Sequence, residues 1–209
     1  MKRFLLLTFV VLVTARGFVR AGEAPSIAPP SAEPGFTQGT HEFEAFGSYL
    51  KSLSDTHLAQ RPFFDTALVA VRYGWMLDNR RPGMFFGNEE FLLEGFVGPV
   101  LQGPGSVLGG GALQLRHNFA WGRHPFFVPY FQIGAGLVAS DASSDKSQFA
   151  IGLPVEFNLQ TGLGARWRMN ASWSINTEFD YRHISNAGLS SRNGGYDLIG
   201  GFIGLGRMF

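Results

Sequence analysis

Eight stretches of this chain alternate, residue by residue, between large apolar side chains and small or polar ones. Successive side chains of a strand point to opposite faces, so a period of two means a strand with one apolar and one polar face. The cleanest stretch covers 149–167. Its odd positions read Phe, Ile, Leu, Val, Phe, Leu, Thr, Leu, Ala, Trp, and its even ones Ala, Gly, Pro, Glu, Asn, Gln, Gly, Gly, Arg. The others lie at 36–50 (the least regular), 63–77, 84–98, 107–121, 126–139, 173–185 and 196–209. A break at 99–106 and turn-rich pieces at 78–83, 122–125 and 168–171 separate them, as do loops at 51–62, 140–148 and 188–195. Connections after the second, fourth and sixth stretches are short, and the remaining ones mostly longer. No segment downstream of the N-terminal twenty-odd residues has the apolar length of a transmembrane helix.

Which face meets which solvent decides the fold class. The chain carries 21 Phe and 28 Gly. One face of the strands collects Phe, Leu, Ile and Trp, while the other mixes Gly with Glu, Asn, Gln and Arg. The interior of an eight-stranded barrel is narrow, so the bulky face fits outside, against lipid, and the small and polar face inside. The expected fold is all-β: an eight-stranded antiparallel transmembrane β-barrel of the outer membrane. Short turns at one end, longer loops at the other and a final Phe209 agree with it. A soluble lipocalin-like barrel, with its bulky residues inward, is the weaker alternative.

The N-terminus reads as a secretory signal over 1–21: Lys2 and Arg3, an apolar run at 4–13, then Val19-Arg20-Ala21 as the cleavage region. Residues 22–35 are Pro- and Ala-rich and read as an extended linker, leaving 36–209 for the barrel. A net charge of +1 gives no reason to expect nucleic acid. Without Cys there is no disulfide, thiol nucleophile, thiolate metal site or lipid anchor on a cysteine. His41, His57, His117, His124 and His183 form no metal-ligand spacing, so neither a metal nor a cofactor is expected.

The seventh stretch carries the candidate chemistry. Trp173, Ile175, Thr177, Phe179 and Tyr181 share one face, and His183 and Ser185 continue its parity. Two residues apart on a strand, their Cβ atoms lie roughly 7 Å apart, within reach of an imidazole–hydroxyl contact. With the N-terminal end of the barrel in the periplasm, the pair stands at the outer-leaflet edge, facing lipid. A histidine there is costly unless it works or hydrogen-bonds, and a lipid ester is the substrate such a pair invites. Interfacial polar residues at a strand end are an equally simple reading of the spacing alone.

The string His183-Ile184-Ser185-Asn186-Ala187-Gly188-Leu189, followed by Asn193 and then Asp197 on the last strand, resembles the PagL-type lipid A 3-O-deacylases. The resemblance is strongest over 157–209. It implies an eight-stranded outer-membrane barrel that removes the acyl chain esterified at the 3 position of lipid A, using a Ser-His-acid arrangement on its outer surface. On that resemblance Ser185 is the nucleophile, His183 the general base and Asp197 the acid, where the family's better-known pattern has Glu. Asn186 and Asn193, with the backbone of Ala187 and Gly188, are the oxyanion or supporting residues. Glu178 and Asp180 have the wrong parity for the acid. Arg182 and Arg192 either meet lipid A phosphates or core sugars or, slightly favoured, serve as lumen and loop charges. The implied partners are lipopolysaccharide as substrate and the bilayer itself, and a homodimer is compatible with such a barrel. The competing function is a non-catalytic barrel with a structural or adhesive role.

Overall fold

The computed structural model describes residues 35–53, 62–122 and 125–209. The segments read as signal and, save residue 35, as linker lie outside the described residues, as do His57 and His124. Eight strands follow in order: β1 (His41–Ser52), β2 (Asp65–Met76), β3 (Asn88–Gln102), β4 (Val107–Asn118), β5 (Phe127–Ser140), β6 (Val155–Arg168), β7 (Trp173–Ser185) and β8 (Tyr196–Met208). A 3₁₀ turn, Asp141–Ser144, follows β5. Each strand pairs antiparallel with the next and β8 returns to β1, so the sheet is a closed barrel without an edge.

Paired residues trace a descending path around it. From Ile184 the path runs through Asn158, Gly136, Ala112, Glu94, Arg72, Glu44 and Gly206, and regains β7 at Ser174, ten residues lower. A stagger of that size in an eight-stranded barrel tilts the strands by roughly 40°. The 13 residues of β7 then rise about 30 Å along the axis, the thickness of a bilayer's hydrocarbon core.

The parity expected from the sequence holds. Leu163 and Ile203 are 62% and 63% exposed, whereas Gln160 and Asn176 are 4% and 0% exposed. Trp75, Trp121, Trp167 and Trp173, all four tryptophans of the chain, sit exposed near the end that also holds the start of β1. On the same rim His41 stacks on Tyr73 and Phe209 and packs against Trp75. Aromatic girdles of this kind mark a membrane interface.

The lumen is filled in layers. In its middle, Arg72, Arg116, Arg166 and Arg182 are buried against carboxylates. Arg72 meets Glu178 at 2.7 Å and Glu94 at 2.6 Å, Arg116 meets Glu44 at 2.8 Å, and Arg166 meets Glu90 at 2.7 Å and also Glu42. Above this layer a cluster including Phe46, Leu50, Phe64, Phe96, Leu108, Ile184, Leu198 and Phe202 closes the loop end. Phe36, Met76, Ala120, Val128 and Met208 close the other. The inward face is therefore apolar at both ends, not uniformly small and polar as the sequence pattern implies. The apolar ends shield the charges from water, so each must find its partner inside.

Three boundaries differ from the sequence expectation. Pro99 lies within β3, opposite Val107 on β4, and its carbonyl accepts from Thr66 Oγ1 at 2.8 Å. The β3–β4 connection shrinks to 103–106, while 84–87 join a longer β2–β3 connection closed by the Arg81↔Gly87 bridge. Loop lengths at the two ends are thus less asymmetric than expected. Residues 149–154 leave the sixth strand, because the Gln148 amide takes both backbone groups of Ile151, at 2.8 and 2.7 Å. Pro154 has no N–H to start a ladder there.

Two glycines side by side test this packing. A Cβ on Gly200 would lie 1.9 Å from the Tyr49 carbonyl oxygen, whereas one on Gly201 meets nothing nearer than 3.8 Å. Gly201→Ala should fold as the wild type in detergent, and Gly200→Ala should lower the thermal midpoint of the heat-modifiable gel band. Equal behaviour of the two would contradict the described contacts. Arg72→Met should cost about 3–5 kcal/mol in urea unfolding, since Glu94 and Glu178 lose a desolvated partner.

Candidate active site

The barrel brings together residues that the sequence separates. β7 and β8 pair so that His183 stands directly opposite Asp197, both on the outward face. Directly opposed residues have Cβ atoms about 5 Å apart, close enough for a short carboxylate to reach an imidazole. His183 Nδ1 lies 2.7 Å from Asp197 Oδ1. On the other side of the ring, His183 Nε2 lies 3.0 Å from Ser185 Oγ. With the carboxylate accepting at Nδ1, that nitrogen carries the proton and Nε2 is left to accept from the serine hydroxyl. The His183 and Asp197 side chains are 37% and 39% exposed, so the set is open to the medium around the barrel.

Beyond Ser185 the chain turns sharply. Ala187 (φ 53°) and Gly188 (φ 86°) both adopt left-handed conformations, and the Leu189 N–H closes the turn on the Asn186 carbonyl at 3.0 Å. A positive φ costs an alanine about 1–2 kcal/mol, so the surroundings must hold it. Asn186 does much of this from a fully buried position. Its Oδ1 accepts from the N–H groups of Gly188 at 3.1 Å and Ser190 at 3.3 Å, and its Nδ2 donates to the Arg192 carbonyl at 2.8 Å and Glu156 at 3.2 Å. The Asn186 N–H donates to Asn193 Oδ1 at 2.9 Å.

Among the four residues that the sequence marks for oxyanion or support, the Asn186 amide, the Asn193 Oδ1 and the Gly188 N–H are thus engaged within the loop. The exposed Ala187 N–H makes no hydrogen bond to the described residues, and neither does the Asn193 Nδ2.

Arg182 points into the lumen, 3.0 Å from Glu94 and 3.1 Å from Asp180, and is not a surface cation for phosphate. Arg192 clamps the neighbouring loop, donating to the carbonyls of Asp145 at 2.7 Å and Ser143 at 2.8 Å. Glu178 and Asp180 are buried in the lumen, as their parity requires. In the same loop, the hydroxyl and N–H of Ser147 hold the Asp145 carboxyl below its ordinary range.

Two residues at the site are new to the structure. Glu156 accepts from the N–H groups of Gly152 at 2.8 Å and Leu153 at 3.1 Å, besides Asn186, joining the two loops beside Ser185. Tyr181 Oη donates to Asp197 Oδ1 at 2.6 Å, the same oxygen that meets His183. Parity places Tyr181 on the right face, but its diagonal contact to Asp197 depends on the β7–β8 register, which alternation does not encode.

The lipid A 3-O-deacylase (PagL) family model matches residues 69–205, from β2 to β8. A comparison with curated protein sequences finds no match. Among solved structures, the outer-membrane enzyme PagL is similar at 17% identity and a TM-score of 0.53, covering 78% of this chain and 97% of that one. Neisserial surface protein A is similar at 11% identity and a TM-score of 0.57, covering 82% and 100%. OprG from Pseudomonas aeruginosa is similar at 17% identity and a TM-score of 0.54, covering 84% and 98%. At such identities the likeness is one of fold. The family match is the stronger finding: this outer-membrane β-barrel belongs to the lipid A 3-O-deacylase (PagL) family.

Proposed function

We propose that the protein is a serine esterase of the outer membrane that hydrolyses the 3-O-linked acyl chain of lipid A, with Ser185, His183 and Asp197 as nucleophile, base and acid. The observation that carries this reading is the outward-facing chain of contacts from Ser185 Oγ through His183 to Asp197, at 3.0 and 2.7 Å. Barrel shape alone does not discriminate, since Neisserial surface protein A and the outer membrane protein OprG share it. A structural or adhesive barrel gives no reason for this arrangement at the lipid boundary.

The site lies at the last residue of β7, one bilayer thickness above the aromatic rim. An ester near the headgroups of the outer leaflet meets it there, with its acyl chain lying along the apolar outer wall. Ser185 Oγ attacks the ester carbonyl while its proton passes to His183 Nε2. Asp197 holds the ring and offsets the imidazolium charge. The tetrahedral oxyanion accepts a hydrogen bond from the Ala187 N–H, a backbone donor that the turn leaves open. Collapse breaks the bond to the sugar oxygen, which takes the proton from His183 and leaves as a free hydroxyl. Water then attacks the acyl-enzyme with His183 again as base, releasing a fatty acid and restoring Ser185. No step requires a metal or a cofactor, and the substrate is lipopolysaccharide in the membrane around the barrel.

Ser185→Ala and His183→Ala should each abolish loss of the 3-O-linked chain, read by mass spectrometry of lipid A from expressing cells, while the gel shift shows a folded barrel. A Ser185→Ala protein that still deacylates would remove the proposal. Asp197→Asn should lower activity less than those two changes, by roughly a further 10- to 100-fold margin, as expected of an acid that only orients the base. Asp197→Glu, one methylene longer, should retain activity if this carboxylate is the third member.

A further inference from the structure

We propose that Tyr181 is a positioning residue for the acid: its hydroxyl fixes the Asp197 carboxylate in the orientation that meets His183. The proposal rests on the catalytic reading of Ser185, His183 and Asp197 given above.

Tyr181 lies two residues below His183 on the same outward face of β7, diagonal to Asp197 across the β7–β8 pair. Diagonal neighbours about 7 Å apart are within reach of a tyrosine ring. The hydroxyl donates to Asp197 Oδ1 at 2.6 Å, and His183 Nδ1 approaches that same oxygen at 2.7 Å. Two donors on one oxygen define a plane for the carboxylate. The terminal torsion of an aspartate is otherwise broad, and a rotated carboxylate would release the imidazole. Tyrosine does this with only two side-chain torsions to order.

The medium sharpens the need. Asp197 lies on the barrel's outer surface near the top of a membrane-spanning strand pair. There lipid competes with water, and a carboxylate short of donors is expensive to keep. A phenolic hydroxyl supplies a donor that the bilayer does not. It cannot act on the substrate meanwhile, because its proton is committed to Asp197.

An ordinary interfacial aromatic would look similar, and the molecule contains its own control. Tyr49 Oη donates to Asp65 Oδ2 at 2.7 Å on the same outer wall, toward the same end, and among the described residues no histidine is bonded to Asp65. Substituting Tyr49 removes a matching Tyr–Asp bond outside the site.

The experiment uses the full chain folded in detergent, with lipid A in mixed micelles and the released fatty acid measured over time. Tyr181→Phe keeps the ring and removes the hydroxyl. It should lower kcat about tenfold, the effect of one charge-assisted hydrogen bond, with KM within about twofold. Tyr49→Phe should leave both parameters unchanged. In an Asp197→Ala background, Tyr181→Phe should cause no further loss, because the hydroxyl acts only through that carboxylate. Full activity of Tyr181→Phe beside a crippled Asp197→Ala overturns the proposal alone. So does an equal loss from Tyr181→Phe in both backgrounds, which marks a fold effect. An Asp197→Ala protein as active as the wild type overturns the catalytic reading of Asp197, and this proposal with it.

Discussion

Hydrocarbon offers no partner to a backbone N–H or C=O, and each group left unpaired there costs several kcal/mol. A sheet meets that constraint only by closing. The return of β8 to β1, with Glu44 opposite Gly206 and Lys51 opposite Ile199, is therefore the condition on which the rest depends. Closure at a stagger of ten residues fixes the tilt, and the tilt fixes which inward side chains share a level. Arg72 meets Glu94 because the two lie opposite each other on one paired path around the barrel.

Every strand then serves two media at once, and β7 shows how completely they are separated. Glu178, Asp180 and Arg182 are locked inside among guanidiniums and carboxylates, while Tyr181, His183 and Ser185 stand outside between them. The inward residues make a rigid, filled core that holds the strand in place. The outward residues bear little packing load, so a reactive set can occupy them without opening the barrel. A site built this way opens to the medium around the barrel, not to a lumen closed by apolar layers at both ends.

Alternation made the fold legible, because the bilayer forces the same pattern on every strand. Leu163, Ile203, Gln160 and Asn176 fall on the faces their parity assigns. What alternation misses is whatever a side chain does to a backbone locally. Gln148 diverts 149–154 from the sixth strand although the pattern there is unbroken, and Pro99 stays within β3, its carbonyl taken by Thr66 Oγ1, although proline reads as a break. The apolar ends of the lumen escape for another reason. Phe46, Leu50, Ile184 and Phe202 occupy inward positions at the levels where the charge layer stops, and a level is a property of the register. At the site, the pairing of His183 with Ser185 is local and readable from two residues' spacing. The reach of Asp197, the contact of Tyr181 and the clamp of Glu156 all cross between elements, and none of them follows from spacing.

The shorter acid is the point at which sequence and geometry bear most directly on each other. The better-known pattern of the PagL family, which the string at 183–189 resembles, has Glu where this chain has Asp197, a side chain shorter by one methylene. Direct opposition across β7 and β8 makes up that length, because the two Cβ atoms are already as close as a sheet allows. A short side chain has fewer torsions to order, but also fewer ways to correct a poor angle, so its carboxylate plane must be set from outside. The hydroxyl of Tyr181 stands where such a constraint has to act, on the oxygen that faces His183. Strand register and a neighbouring phenol together can therefore supply what a longer side chain would otherwise provide by itself.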